Sequence, residues 1–154
     1  MAEPSSAVAL RRLFSAPPEK VFRAFTDPAL LAQWFSPGPE IATRVLEHDL
    51  RVGGRYRFAF RFQDGTERVV QGEFLEVLRP QRVVFTWTWA DPDPHAGIET
   101  QVSIAITAAD HGTELVVTHD RFPDESTRVR HHEGWSTTLD RLAELLLLTE
   151  GGQP

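Results

Sequence analysis

The residues that could do chemistry are few. His119 and His132 fall on faces expected to point inward, one near the end of the last strand and one in the first turns of the last helix. They would approach each other at one end of the interior. Imidazole titrates near neutral pH, which suits it to anchor a ligand or move a proton. The same pair also fits a structural role, hydrogen-bonded to backbone or to Glu133. His119, Asp120, His131, His132 and Glu133 are all metal-ligand types. However, His131 and His132 are adjacent, so on a helix they diverge by about 100°. No H-x-x-x-H or H-E-x-x-H is present. Gly53-Gly54 runs into a strand, so it is not a phosphate loop. Ser136 lies inside a helix and lacks the strained turn of a nucleophile elbow. The sequence contains no Cys, which excludes thiolate chemistry. No catalytic residue, metal or cofactor is assigned.

The second set is aromatic: Trp34, Tyr56, Phe58, Phe60, Phe85, Trp87, Trp89 and Trp135, with Leu139 beside the last on its helix. Ligand pockets are mostly apolar with a few polar anchors, and these residues could line one. They could equally form plain core. Trp87, Trp89 and Trp135 are the better candidates for a cavity, because indole packs poorly when enclosed and its N–H needs a partner. The row Arg55, Arg57, Arg61 reads as the solvated face of a strand. Gly134, mid-helix, costs about 1 kcal/mol against Ala. That cost implies either a close approach to the sheet or space left for a ligand.

These residues need elements to position them. Ala7 to Ser15 is a first strand, with Val8 and Leu10 on one face. Pro17-Pro18 opens a short helix with Val21, Phe22 and Phe25 as its stripe. Asp27-Pro28 starts a second, which buries Leu30, Leu31, Trp34 and Phe35 and stops at Ser36-Pro37-Gly38-Pro39. Six strands follow: Ile41–Asp49, Arg55–Phe62, Thr66–Leu78, a strand through Val83 and Trp89, Glu99–Ala108 and Glu114–His119. Tyr56, Phe58, Phe60 and Phe62 alternate cleanly. A slip at Gly72 suggests a bulge. A loop over residues 90–97 separates two of the strands. The last helix starts between Asp124 and Thr127 and runs to about Leu148, with Trp135, Leu139, Leu142 and Leu146 on one side. His132 is placed on that side too. Hairpin links make the sheet antiparallel, and a helix of about 20 residues must cross it. The fold class is α+β: about seven strands curved round a C-terminal helix.

The chain has 154 residues, which suits one domain over residues 7–148, with residues 1–6 and 149–154 as flexible ends. The formal net charge of −6 argues against nucleic acid as a partner. No signal peptide is visible, and no apolar run approaches the ~20 residues of a membrane span. A cytoplasmic protein, monomeric or homodimeric, is expected.

The marks Ala16-Pro17-Pro18-Glu19-Lys20-Val21-Phe22, Trp34-Phe35, Val52-Gly53-Gly54-Arg55-Tyr56 and Val84-Phe85-Thr86-Trp87 occur in that order. They are followed by Thr118-His119, Phe122-Pro123 and His132-Glu133-Gly134-Trp135 with Leu139-Asp140-Arg141-Leu142. From about Ala7 to Leu148 the chain resembles the activator of Hsp90 ATPase homologue 1-like domain, within the START-like (SRPBCC) helix-grip superfamily. The resemblance implies a cavity between the sheet and the last helix that takes an apolar ligand. Such cavities serve lipid transfer, aromatic polyketide cyclisation, hormone sensing and antibiotic self-resistance, and fold does not choose among them. The eukaryotic activator carries a separate N-terminal Hsp90-binding domain, for which this chain has no room.

The leading expectation is a binding module. A small hydrophobic molecule would be held by Trp87, Trp89 and Trp135, with His119 or His132 as polar anchor. A cyclase- or hydrolase-type enzyme would use His132, Glu133 or His119 to move a proton. An interaction domain with stress-related partners would need an exposed apolar patch.

Overall fold

A computed structural model describes residues 7–38, 40–91 and 93–151, with backbone alone for 148–151. The ends at 1–6 and 152–154, Pro39 of the helix stop and Pro92 of the loop lie outside the described residues.

Period-two alternation yields strands and the two proline-led segments yield helices. The order is β1 Val8–Phe14, α1 Pro18–Thr26, α2 Pro28–Trp34, β2 Ala42–His48 and β3 Arg55–Arg61. It continues β4 Glu67–Leu78, β5 Arg82–Trp89, β6 Thr100–Ala109, β7 Gly112–Asp120 and α3 Glu125–Gly151. The strands form one antiparallel sheet in the order β1-β7-β6-β5-β4-β3-β2. The first strand therefore pairs with the last, and α1 and α2 carry the chain to the opposite edge.

Prolines open α1, and carboxylate side chains cap α2 and α3. Pro17 and Pro18 open α1 without wasting N–H donors. Asp27 accepts the Ala29 N–H at 2.9 Å at the start of α2. Trp34 then donates from Nε1 to Ala24 O at 2.9 Å and locks α2 onto α1. At α3, Asp124 accepts from the Thr127 N–H at 2.9 Å and from its hydroxyl at 2.6 Å. This helix reaches Gly151, three residues beyond the end at about Leu148 read from the sequence.

The bulge expected at Gly72 lies elsewhere. Gly72 pairs in register with Tyr56, and the slip falls between Phe74 and Glu76. Gly72 is demanded by close approach instead. A Cβ there would sit 2.0 Å from Thr86 O. Tyr56 donates its hydroxyl to that same oxygen at 2.5 Å.

The core lies between the inner sheet face, with Val70, Val102, Ile104, Leu115 and Val117, and the α3 stripe of Trp135, Leu139, Leu142 and Leu146. Arg55 and Arg61 are exposed and Arg57 half-buried, so that row lies on the outer face as read from the sequence.

Candidate functional site

A cavity of about 450 Å³ opens between the sheet and α3. Alternation delivers Phe60 from β3 and Trp87 and Trp89 from β5 to its floor, with Phe62 just past β3. Trp135 closes it from α3, and Phe35, Pro37 and Ile41 close it from the α2–β2 connection. Arg68, His95, Arg130, His131 and Thr138 add polar groups. Gly134 also lines it, and a Cβ there would meet only Pro37, at an ordinary 3.8 Å. Of the two readings of Gly134, the geometry therefore favours space over close approach.

The tryptophans make hydrogen-bonded chains through the histidines. Trp135 Nε1 donates to His119 Nδ1 at 3.0 Å. His119 Nε2 lies 2.6 Å from Thr100 Oγ1, which donates to Trp87 O at 3.0 Å. The network thus assigns the proton of His119 to Nε2. Trp89 Nε1 donates to His131 Nε2 at 2.9 Å, and His131 Nδ1 donates to Thr127 O at 2.8 Å. Trp87 Nε1 is buried and has no hydrogen-bond partner among the described residues.

Both imidazoles are neutral at pH 7. Burial pushes His131 down to about 4, and nearby Arg130 and His95 act in the same direction against the Thr127 bond. Burial, then the neighbouring His131, hold His119 well below its ordinary range. With both nitrogens of each ring engaged, neither has a site free to exchange a proton with a cavity ligand.

A charged cluster borders the cavity. Asp93, its side chain wholly enclosed, accepts from Arg68 Nη1 at 2.9 Å, Arg130 Nη1 at 3.0 Å and Arg130 Nη2 at 2.8 Å. It also accepts the His95 N–H at 2.8 Å. Burial raises the Asp93 carboxyl, but the bonds from Arg130, the His95 N–H and Arg68 outweigh it and hold the group far below the usual carboxylate range. Arg130 also contacts His95 Nδ1 and stacks 4.9 Å above the Trp89 ring. Asp93 thereby pins the β5–β6 loop to both β4 and α3.

The residues chosen from the sequence divide accordingly. Phe60, Trp87, Trp89 and Trp135 line the cavity. Tyr56, Phe58 and Phe85 line a separate void of about 20 Å³, room for about one water. Trp34 and Leu139 are packed core. His119 lies behind Trp135, off the cavity wall. The placement of His132 is corrected: it is half-buried, whereas His131 is 6% exposed and lines the cavity. Extending the stripe back from Trp135 by four residues, not three, keeps it under the sheet.

Arg68, Asp93, His95 and Arg130 were not singled out from the sequence. One signal was available: Arg68 shares its strand parity with buried Val70, Gly72 and Phe74, so it is a cation on an inward face.

Among the described residues no group of three or more His, Asp or Glu could hold a metal ion. No described helix is long and apolar enough to cross a membrane.

An antiparallel sheet and a long C-terminal helix enclosing an aromatic cavity define the helix-grip class. The chain belongs to the family described as Activator of Hsp90 ATPase homolog 1-like protein, whose model matches residues 15–147. Its members commonly bind hydrophobic ligands. The chain is similar to a protein from Chromobacterium violaceum at 33% identity and a TM-score of 0.82, covering 92% of this chain and 96% of that one. An AHSA1 protein from Silicibacter pomeroyi is 32% identical with a TM-score of 0.82, covering 93% and 99%. DynU16, from the dynemicin biosynthetic locus, is 26% identical with a TM-score of 0.73, and the match covers 96% of this chain but 49% of that one. No curated protein matches the chain at a significant level.

Proposed function

We propose that the chain binds an apolar, aromatic small molecule between the sheet and α3. The observation that carries this reading is the open cavity of about 450 Å³ walled by Phe60, Trp87, Trp89 and Trp135. That volume falls in the usual range for small-molecule sites, about 300–1,000 Å³. The imidazoles nearest the aromatic floor, His119 and His131, are tied to protein partners, which favours a binding site over an acid–base centre. Family membership supports the same reading.

Titration with naphthalene-sized hydrophobes, read by tryptophan fluorescence, tests it. Saturable quenching at one site per chain is expected, and native mass spectrometry should show the retained ligand. Failure of every hydrophobe to quench, with no apolar mass retained, would end this reading.

A further inference from the structure

We propose that the cavity selects apolar ligands bearing a carboxylate, with the acid group at the rim against Arg68 and the aromatic body against Trp87, Trp89 and Trp135. This rests on the binding function proposed above and names its ligand class.

Charge gives the first ground. Arg68 and Arg130 share one carboxylate, Asp93, which leaves one formal positive charge at the cavity edge. His131 adds none at neutral pH. The carboxylate of Asp124, which acts on His95, is turned to Thr127 as the cap of α3.

Hydrogen-bond capacity gives the second. The wall's principal acceptors are taken: both Asp93 oxygens by arginine and His131 Nε2 by Trp89. Donors are in excess. Arg68 uses Nη1 alone on Asp93, and a guanidinium carries five N–H groups. A wall with spare donors and a spare positive charge suits an acceptor-rich anion.

Solvation gives the third. The side chains of Arg68 and Arg130 are 38% and 33% exposed. A carboxylate there keeps part of its hydration while the rings go inside, so the cost of desolvating a charge stays small. Arg130 is held by Asp93 and by the Trp89 face, which leaves Arg68 as the arm that meets the ligand.

The test is calorimetric titration at neutral pH with naphthoate, naphthylmethanol and naphthylmethylammonium. Naphthoate is expected to bind about tenfold tighter than the alcohol, the size of one charge-assisted hydrogen bond, and the ammonium weakest. Added salt should weaken naphthoate and spare the alcohol. Arg68→Gln should cost naphthoate about tenfold more than it costs the alcohol. The wild-type series decides the matter even if that variant folds poorly. Saturable binding of naphthoate and alcohol with equal affinity overturns acid selectivity and leaves the cavity reading intact. Binding by none of the three overturns the cavity reading, and this proposal with it.

Discussion

Trp89 Nε1 donates to His131 Nε2 at 2.9 Å, so the sheet holds the first turns of α3 through an imidazole that must stay neutral. The acceptor nitrogen would be lost on protonation. In the unfolded chain histidine titrates near 6.5, while burial pushes folded His131 down to about 4.

The sign follows from that order. Between these values the unfolded state binds the proton and the folded state does not, so stability is full above about pH 6.5 and falls as pH drops. The loss by about pH 4 is on the order of 3 kcal/mol, and His119 acts in the same direction. Urea unfolding measured across this range should show midpoints falling with acid, and His131→Gln should flatten the slope. An unchanged slope in the variant would contradict the assignment.

Asp93 bears on the loop instead of the helix. Asp93→Asn leaves Arg68 and Arg130 facing each other without their shared counter-charge. A fully buried broken pair costs about 3–5 kcal/mol; here the arginines reach solvent, so about 2–3 kcal/mol is expected. Hydrogen exchange should quicken across residues 93–97 more than in β6 or β7. Uniform quickening would point to global destabilisation instead.

Much of this arrangement is legible in the sequence where one element suffices to state it. Tyr56, Phe58 and Phe60 alternate within a single strand, and Trp135, Leu139 and Leu142 recur within a single helix. The caps at Pro17 and Asp27 are local too. The phase at the start of α3 is less determined, because three- and four-residue steps both continue a helical stripe. That ambiguity separates His131 from His132. The Arg68–Asp93–Arg130 cluster is not legible at all from local pattern. Its members are 25 and 37 residues apart and meet only once β4, a loop and α3 have docked. Gly72 shows a different failure. A missing side chain in a strand reads as a bulge or as close approach, and only the position of Thr86 O decides which.

Gly72 yields its own prediction. Gly72→Ala should destabilise the fold by on the order of 2–4 kcal/mol, because the added methyl meets backbone that cannot turn aside. Tyr56→Phe, which removes only the hydroxyl bonded to Thr86 O, should cost about 1 kcal/mol. Chemical denaturation of both variants checks the ranking. A Gly72→Ala protein as stable as wild type would mean that β4 and β5 separate at little cost.

Gly134 tests stability against function in one position. Ala there gains about 1 kcal/mol of helix propensity and meets only Pro37, so Gly134→Ala should raise the thermal midpoint. Leu at the same place projects from α3 into the cavity and fills volume a ligand would need. Gly134→Leu should therefore keep the fold while fluorescence quenching by naphthalene-sized hydrophobes is lost or weakened at least about tenfold. Circular dichroism and the titration together check this. If Leu leaves ligand affinity unchanged, the ligand sits elsewhere; if Ala fails to stabilise, α3 is held at Gly134 by a constraint other than its propensity.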